Sequence, residues 1–322
     1  MTTPTLTTTV LLTEDRLARE FLAALERREL PEKYFYWFPT SVRAWLDLCS
    51  DGAYRNYIRS HTLLEARAAD VVAPLPAGMV SVISLGAGQG TKDLLVLDRL
   101  RASGRDPRYF PVDASQSLLE MACAAALEAG VPCMGIKADV TAVGHLASLR
   151  DLTPEAPRLF MLLGNTLGAF DAERMARQLA HLLGPDDHLL VDGEIFSGDT
   201  TLAGYDNPLN RQFAFGPLRG VGLVEPGDGV LRFETTEDNA RQGLYRLHKH
   251  FVPARDLTLS VAGETIRWPA GQRVEMNWSG KYTHEAFLAL LRDAELAPVT
   301  EHVSTDDQFV MVLARRRVRS RD

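Results

Sequence analysis

The sequence predicts an α/β protein: a parallel sheet covered by helices on both faces, joined to a second, discontinuous α+β domain. Three observations predict it. Five short apolar runs alternate with amphipathic segments between residues 80 and 196, the pattern of strands buried on both sides. Residues 230–281 alternate apolar and polar side chains between short turns, which marks antiparallel hairpins. The chain then returns to one helical stretch and two closing strand-like runs.

The elements follow in order. Residues 13–28 (TEDRLAREFLAALERR) repeat apolar positions at helical spacing, with Thr13 as N-cap. The Thr-rich first ten residues are expected to fray. YFYWFPTSVRAWL (34–46) is aromatic-rich and broken by Pro39, residues 60–72 read as a helix, and APLPAG (73–78) reads as a linker. The strand candidates are 80–86, 108–115, 132–139, 158–165 and 188–196. The helix candidates between them are 91–103, 115–129 and 171–184. Glycine and proline in EAGVP and LLGPDD punctuate the helix ends. Residues 197–230 are rich in Gly, Asp and Pro and read as irregular. A helix at 283–294 precedes PVTEHVSTDDQFVMVLARR, which reads as a hairpin added to the sheet edge. This order is the usual one of class I methyltransferases: a Rossmann-like sheet of five parallel strands plus a terminal antiparallel hairpin. The sheet domain is expected at 60–195 plus 283–322, and the second domain at 1–59 plus 196–282.

Composition narrows the function. The 322 residues carry a formal charge of −7, which argues against nucleic acid as a partner because a duplex binder needs a basic surface. The one basic run, ARRRVRSRD at 314–322, reads as a solvated end. Three cysteines, Cys49, Cys123 and Cys133, show no CxxC spacing. They point to a reducing cytoplasm rather than to a disulfide framework or zinc. The start lacks a secretory signal, and no apolar run is long enough to span a membrane. His248 and His250 share a strand face without an identifiable third ligand, so they read as a solvated or packed pair rather than a metal site. No G-x-S-x-G elbow is present. The expected partner is a small molecule, and the expected state a monomer or weak homodimer.

The chemistry concentrates in VISLGAGQGTKDLLVL (82–97). Gly86, Gly88 and Gly90 fall between a strand and a helix, where glycine permits close backbone approach and the helix start offers free N–H groups. The spacing G-x-G-x-G departs from the dinucleotide G-x-G-x-x-G because Thr91 takes the third place. The Walker pattern also fails, because Asp93 follows Lys92. The second strand ends in Asp113, which suits two ribose hydroxyls, and the third in Asp139, which suits an adenine amino group. Either carboxylate equally suits a helix N-cap. Gly, Asp and Asp at three successive strand ends fit an adenosine joined to an amino acid, S-adenosylmethionine.

LGAGQGTKDLLVLDRL, YFPVDAS, KADV, RLFMLLGNTLGAF and AGYDN together resemble the histidine-specific methyltransferase family of ergothioneine biosynthesis, from about residue 31 to 315. The resemblance implies an S-adenosylmethionine-dependent enzyme with the cofactor over the Rossmann-like core and an amino-acid acceptor under the second domain. By motif match it implies Gly86 and Lys92 at the methionine end and Asp113 at the ribose, with Ala87, Gly88 and Ala114 also binding the cofactor. Asp139 and Val140 would serve the adenine, and Gly164, Asn165 and Thr166 the wall near the methyl group. Tyr36, Tyr54 and Tyr205 match positions whose phenols hold the acceptor amine and carboxylate; they are the expected catalytic residues. Ala169, Phe170, Asn277 and Ser279 fall at acceptor positions.

Two departures bear on the acceptor. Ala169 stands where the family has Asn, and Asn277 where it has Glu. Losing two partners for a buried polar substrate, at about 1–3 kcal/mol each, disfavours histidine. The expected reaction is therefore methylation of the amine of an amino acid or amino-acid-like metabolite other than histidine. The alternatives are methylation at N, O or C of another natural product, a nicotinamide-dependent oxidoreductase, and a non-catalytic cofactor binder. Methyl transfer is an in-line displacement that needs little acid–base chemistry when the amine arrives neutral, so positioning supplies most of the acceleration. A phenol is a weak base at neutral pH. Glu194, at the end of the fifth strand, either senses the charge of the amine or caps a turn.

Overall fold

The run Met79–Leu85 is buried along nearly its whole length because it lies inside an eight-stranded sheet. The computed structural model describes residues 6–52, 54–238 and 241–317. Six strands of the sheet run parallel: β1 (Thr8–Val10), β2 (Met79–Leu85), β3 (Asp106–Asp113), β4 (Gly135–Lys137), β5 (Arg158–Leu162) and β6 (His188–Glu194). Their order across the sheet is β1-β4-β3-β2-β5-β6. Phe309–Arg316 pairs antiparallel with β6, and Leu296–Val303 pairs antiparallel outside it. The fold is thus the expected α/β class with its terminal hairpin. The strand order reverses between β2 and β5, and a parallel sheet opens a crevice at such a reversal, outside the carboxyl ends of its strands.

The core on this sheet joins Val80 and Val82 of β2, Val96, Leu97 and Leu100 of the helix Thr91–Ala102, and Leu159 and Met161 of β5. Leu190, Phe309 and Met311 complete it. Each such side chain contributes about 1.5–3 kcal/mol on burial. A change that shifted β2 would therefore also shift the glycine bend that follows it.

The chain divides into two compact units, Met1–Leu11 with Asn56–Phe196 and Gly280–Asp322, and Leu12–Arg55 with Ser197–Ser279. These bounds differ from the expected ones mainly at the N-terminus. Residues Thr8–Val10 do not fray. They pair in register with Gly135–Lys137 and extend the parallel set beyond the five expected strands. Three residues carry too little pattern to mark a strand; their hydrogen bonds come from an edge more than a hundred residues away. Pro39 begins rather than breaks a helix, Pro39–Ser50, where its missing N–H costs nothing. The helix expected at 60–72 starts at Arg55. A helix absent from the sequence reading, Val143–Leu152, starts after Ala142, which offers no capping side chain.

In the second unit, Thr13 caps the helix Glu14–Arg27 by accepting from the Arg16 N–H. The Trp268 indole donates to the Leu25 carbonyl at 3.0 Å, fastening the hairpin Leu257–Val261/Glu264–Trp268 to that helix. A three-stranded sheet holds Val274–Tyr282, Leu244–Pro253 and Gly229–Glu237 in that order. Residues 197–230, expected to be irregular, form the short helices Asp199–Tyr205, Pro208–Ala214 and Gly216–Gly220. Among the described residues, no helix is long and apolar enough to cross a membrane.

Candidate active site

The bend after β2 is built by backbone conformation. Gly86, Gly88 and Gly90 all have positive φ, +71°, +57° and +77°, which a side chain makes costly. A Cβ at Gly90 would also lie 3.1 Å from the Ala122 backbone. The Gly86 and Ala87 N–H groups donate to the Val112 carbonyl, so the bend is pinned to β3. Gly90 starts the helix Thr91–Ala102 without a side-chain cap. One turn on, the buried Asp93 accepts from the Tyr109 hydroxyl, and burial raises its carboxyl to about 6.

Asp113 ends β3, and its carboxylate closes the bend. One oxygen accepts from the Gly88 N–H at 2.9 Å and the other from the Ser115 N–H at 2.8 Å. Burial pushes this carboxyl up to about 6, against the lowering effect of those N–H groups. Both oxygens keep lone pairs. Asp139, just after β4, is used differently. Its Oδ1 accepts from both the Thr141 N–H and the Thr141 hydroxyl, and its own N–H donates to His145 Nδ1. This oxygen closes a turn on Thr141 rather than capping the helix Val143–Leu152, whose N-cap position is Ala142. The backbone joins the two strand ends, the Ala138 N–H donating to the Asp113 carbonyl. Ala114 and Val140, beside the two aspartates, are half-buried.

The loop after β5 adjoins the bend. A Cβ at Gly86 would meet Thr166 Cγ2 at 3.4 Å, and one at Gly164 (φ +86°) would run into the Lys92 ammonium at 2.6 Å. Lys92 is half-buried and stands over the Tyr57 ring at 5.7 Å. Among the described residues, its ammonium makes no hydrogen bond and no ion pair within 4 Å. A residue that sequence reasoning missed holds this loop. Asp192, buried in β6, accepts from the Gly164 N–H, the Asn165 N–H and the Ser60 hydroxyl. Burial raises its carboxyl above the ordinary value. Asn165 adopts a left-handed backbone (φ +59°), accepts from the Glu194 N–H and donates to the Gly280 carbonyl. Its side chain is thus engaged in holding the loop. The Thr166 hydroxyl donates to the Leu163 carbonyl.

Glu194 Oε2 receives the Asn56 amide and the Lys281 ammonium, each at 2.5 Å. Lys281 is fully buried. No spacing in the sequence could reveal this pair, since its members lie on strands far apart in the chain. Ala169 and Phe170, half-buried, follow the loop. Gly168 packs so closely on Gly280 that a Cβ there would lie 2.5 Å from the Gly280 carbonyl.

Among the expected acceptor residues of the second unit, Tyr36 and Tyr54 share one aromatic cluster. Tyr36 and Tyr54 flank Trp45, with ring centroids at 5.3 and 5.8 Å, and Phe213 packs on Tyr36 and Trp45. The Tyr36 hydroxyl donates to Glu32 Oε1 at 2.9 Å. Burial and the Glu32 charge push its phenol well above the usual value, so it stays protonated at neutral pH. Asn277 donates from its amide to Glu32 Oε2. Tyr205 is buried at the end of its helix, and Ser279 is half-buried two residues past Asn277.

In the first unit, a glycine cradle, a carboxylate and an ammonium converge at the strand reversal. Those donors match S-adenosylmethionine: acceptors for ribose hydroxyls at Asp113, a cation for a carboxylate at Lys92, and a bend that a side chain would fill. This defines a methyltransferase of the class I fold. The profile of the family described as histidine-specific, SAM-dependent methyltransferases matches residues 17–221 and 229–316, and the chain belongs to that family. It is an enzyme that uses S-adenosylmethionine, which removes the nicotinamide and non-catalytic alternatives. The histidine N-alpha-methyltransferase of Mycobacterium tuberculosis is 27% identical over 315 residues, covering 93% of this chain and 95% of that one. The N-methyltransferase dtpB of Aspergillus flavus is 23% identical over 304 residues, covering 87% and 82%. Among solved structures, the CurJ carbon methyltransferase superposes with a TM-score of 0.51 at 12% identity, over 94% of this chain and 65% of that one, a likeness of fold.

Proposed function

We propose that the enzyme methylates the amine of an amino acid or amino-acid-like metabolite other than histidine. One observation carries this reading: Asn277, at an acceptor position, is neutral and directs its amide NH₂ at Glu32. It therefore offers no negative charge to an imidazolium. Ala169 adds no hydrogen bond of its own at a second acceptor position.

Bound S-adenosylmethionine supplies an electrophilic methyl group. The rest is positioning by this chain. Asp113 holds the ribose hydroxyls, Asp139 and Val140 the adenine, and Lys92 with the Gly86–Gly88 bend the methionine carboxylate. Asp192 keeps Gly164, Asn165 and Thr166 in place as the wall beside the methyl group. Tyr36, Tyr54 and Tyr205 orient the amine. With its proton engaged by Glu32, the Tyr36 oxygen offers lone pairs to an amine N–H. Cys49, Cys123 and Cys133, none of them in a disulfide, suit a reducing cytoplasm.

The test is a screen of the proteinogenic amino acids and simple aromatic amines with S-adenosylmethionine, read by mass shift. A methylated amino acid other than histidine is the expected product. Turnover confined to histidine, or no turnover of any amino acid, would overturn the reading.

A further inference from the structure

Two of the three thiols meet beside the end of the glycine bend. Cys123 lies on the helix Gln116–Glu128. Cys133 pairs with Tyr109 of β3 in the same register in which Ile136 of β4 pairs with Val112. The chain is therefore extended from Cys133 into β4, and residues two apart share a face. A Cβ at Gly135 would lie 2.9 Å from Cys123 Sγ and 3.2 Å from Leu119 Cγ. That face looks onto the helix, and Cys133 reaches the same sulfur: the two thiols share a hydrogen bond. Cys123 is 1% exposed, whereas Cys133 is partly open to solvent.

Both thiols adjoin groups that hold the bend. Ala122, next to Cys123, is the residue packed on Gly90. Tyr109, paired with Cys133, donates its hydroxyl to Asp93, one turn into the helix that the bend starts. Cys49, the third thiol, is buried in the other unit.

We propose that Cys133 and Cys123 form a reversible disulfide in the presence of hydrogen peroxide, and that this bond lowers affinity for S-adenosylmethionine. The effect on affinity rests on the reading of the glycine bend as part of the cofactor site. The shared hydrogen bond lets the S–H of one sulfur stabilise negative charge on the other, and peroxide reaches that charge on the accessible Cys133. The Cys133 thiolate attacks one peroxide oxygen, the O–O bond breaks and hydroxide leaves; the sulfur is oxidised to sulfenic acid and the peroxide is reduced. The Cys123 sulfur then attacks the sulfenic sulfur. The S–S bond forms, the S–O bond breaks, and the departing hydroxide takes the Cys123 proton as water. A dithiol reverses the bond by exchange, and a transient bridge of this kind suits a reducing compartment.

The bond brings the sulfurs to about 2 Å. The helix already rests on Gly135 through Leu119 and Cys123, so it cannot take up the change by moving closer there. It tilts about that contact, and Ala122 shifts against Gly90.

The test treats the whole protein with hydrogen peroxide and reads intact mass, alkylated peptides and S-adenosylhomocysteine binding by calorimetry. The expected result is a loss of two hydrogens, a peptide linking Cys123 to Cys133, and Cys49 still free to be alkylated after unfolding. Affinity should fall about tenfold, within the usual range of coupling between two sites, and return with dithiothreitol. Cys133→Ser should form no link and keep its affinity under peroxide. Cys123→Ser should stop at a sulfenic acid on Cys133, trapped by dimedone; if one variant fails to fold, the other decides.

Peroxide that leaves both thiols free, or that carries Cys133 to sulfinic acid without a link, overturns the proposal. So does a linked protein whose affinity is unchanged. Asp113→Ala separates that failure from failure of the cofactor-site reading: if this variant binds like the wild type, the reading falls, and if it binds weakly, the proposal alone does.

Discussion

The bend after β2 and the stretch around Asn277 both leave polar groups poised, but they are built in opposite ways. The bend is local. Its three glycines lie within five residues, and one carboxylate, at the end of the next strand, closes it through Gly88. The Asn277 stretch is assembled at long range, with Glu32 and Tyr36 of the short helix Glu32–Tyr36 meeting a strand that comes late in the chain. A locally built site tolerates divergence elsewhere, because its geometry rests on backbone conformation and neighbouring strands. A site assembled from distant side chains can change its chemistry by exchanging one of them. The contrast accounts for a cofactor that is readily read from the sequence and an acceptor that is not.

Three experiments break or sharpen that comparison. The largest effect is expected at Asp113. Its carboxylate would accept two ribose hydroxyls in charge-assisted bonds worth about 1.5–3 kcal/mol each. Asp113→Ala should therefore weaken S-adenosylhomocysteine binding by roughly a hundredfold or more in calorimetry. An unchanged affinity would remove the ribose role.

The second effect depends on pH. Burial raises the Asp113 carboxyl from 3.8 to about 6 in the folded chain, and ribose hydroxyls bind its ionised form. Cofactor affinity should thus fall as pH drops through about 6, by roughly tenfold at pH 5, and Asp113→Asn should flatten the profile. Folding stability runs the other way. For a carboxyl whose folded value is raised, the stabilising contribution is full below 3.8 and is lost as pH rises through about 6. Asp93, raised in the same way, adds to that loss. The melting-temperature difference between the ligand-free wild type and Asp113→Asn checks it; a difference that does not change between pH 4 and 7 would contradict it.

The smallest effect is expected at Asp139. One of its oxygens already serves Thr141, and a single bond to the adenine is worth about 0.5–1.5 kcal/mol. Asp139→Asn should weaken S-adenosylhomocysteine binding only a few-fold; a loss matching that of Asp113→Ala would give the two aspartates equal standing.

Much of the first unit was readable in the sequence because its signals are short-ranged. Apolar runs bounded by Gly and Pro predicted β2, β3, β5 and β6, and GAGQG predicted the bend. The misses share one cause. Thr8–Val10 becomes a strand only because the edge of β4 is there to pair with. Lys281, fully buried, looks like a surface residue until Glu194 meets it. Asp192 reads as one more strand residue until the Gly164 and Asn165 N–H groups turn toward it. Asn277 was readable as an uncharged residue, but that its amide would meet Glu32 was not.

The sequence by itself determined the sheet, the glycine bend and the two aspartates beside it, since period, glycine conformation and strand ends are properties of neighbouring residues. Tertiary structure alone decided which carboxylates are engaged and which remain available. That depends on donors brought together from distant segments, and the free energy of a buried charge or carbonyl is set by what faces it rather than by what precedes it in the chain.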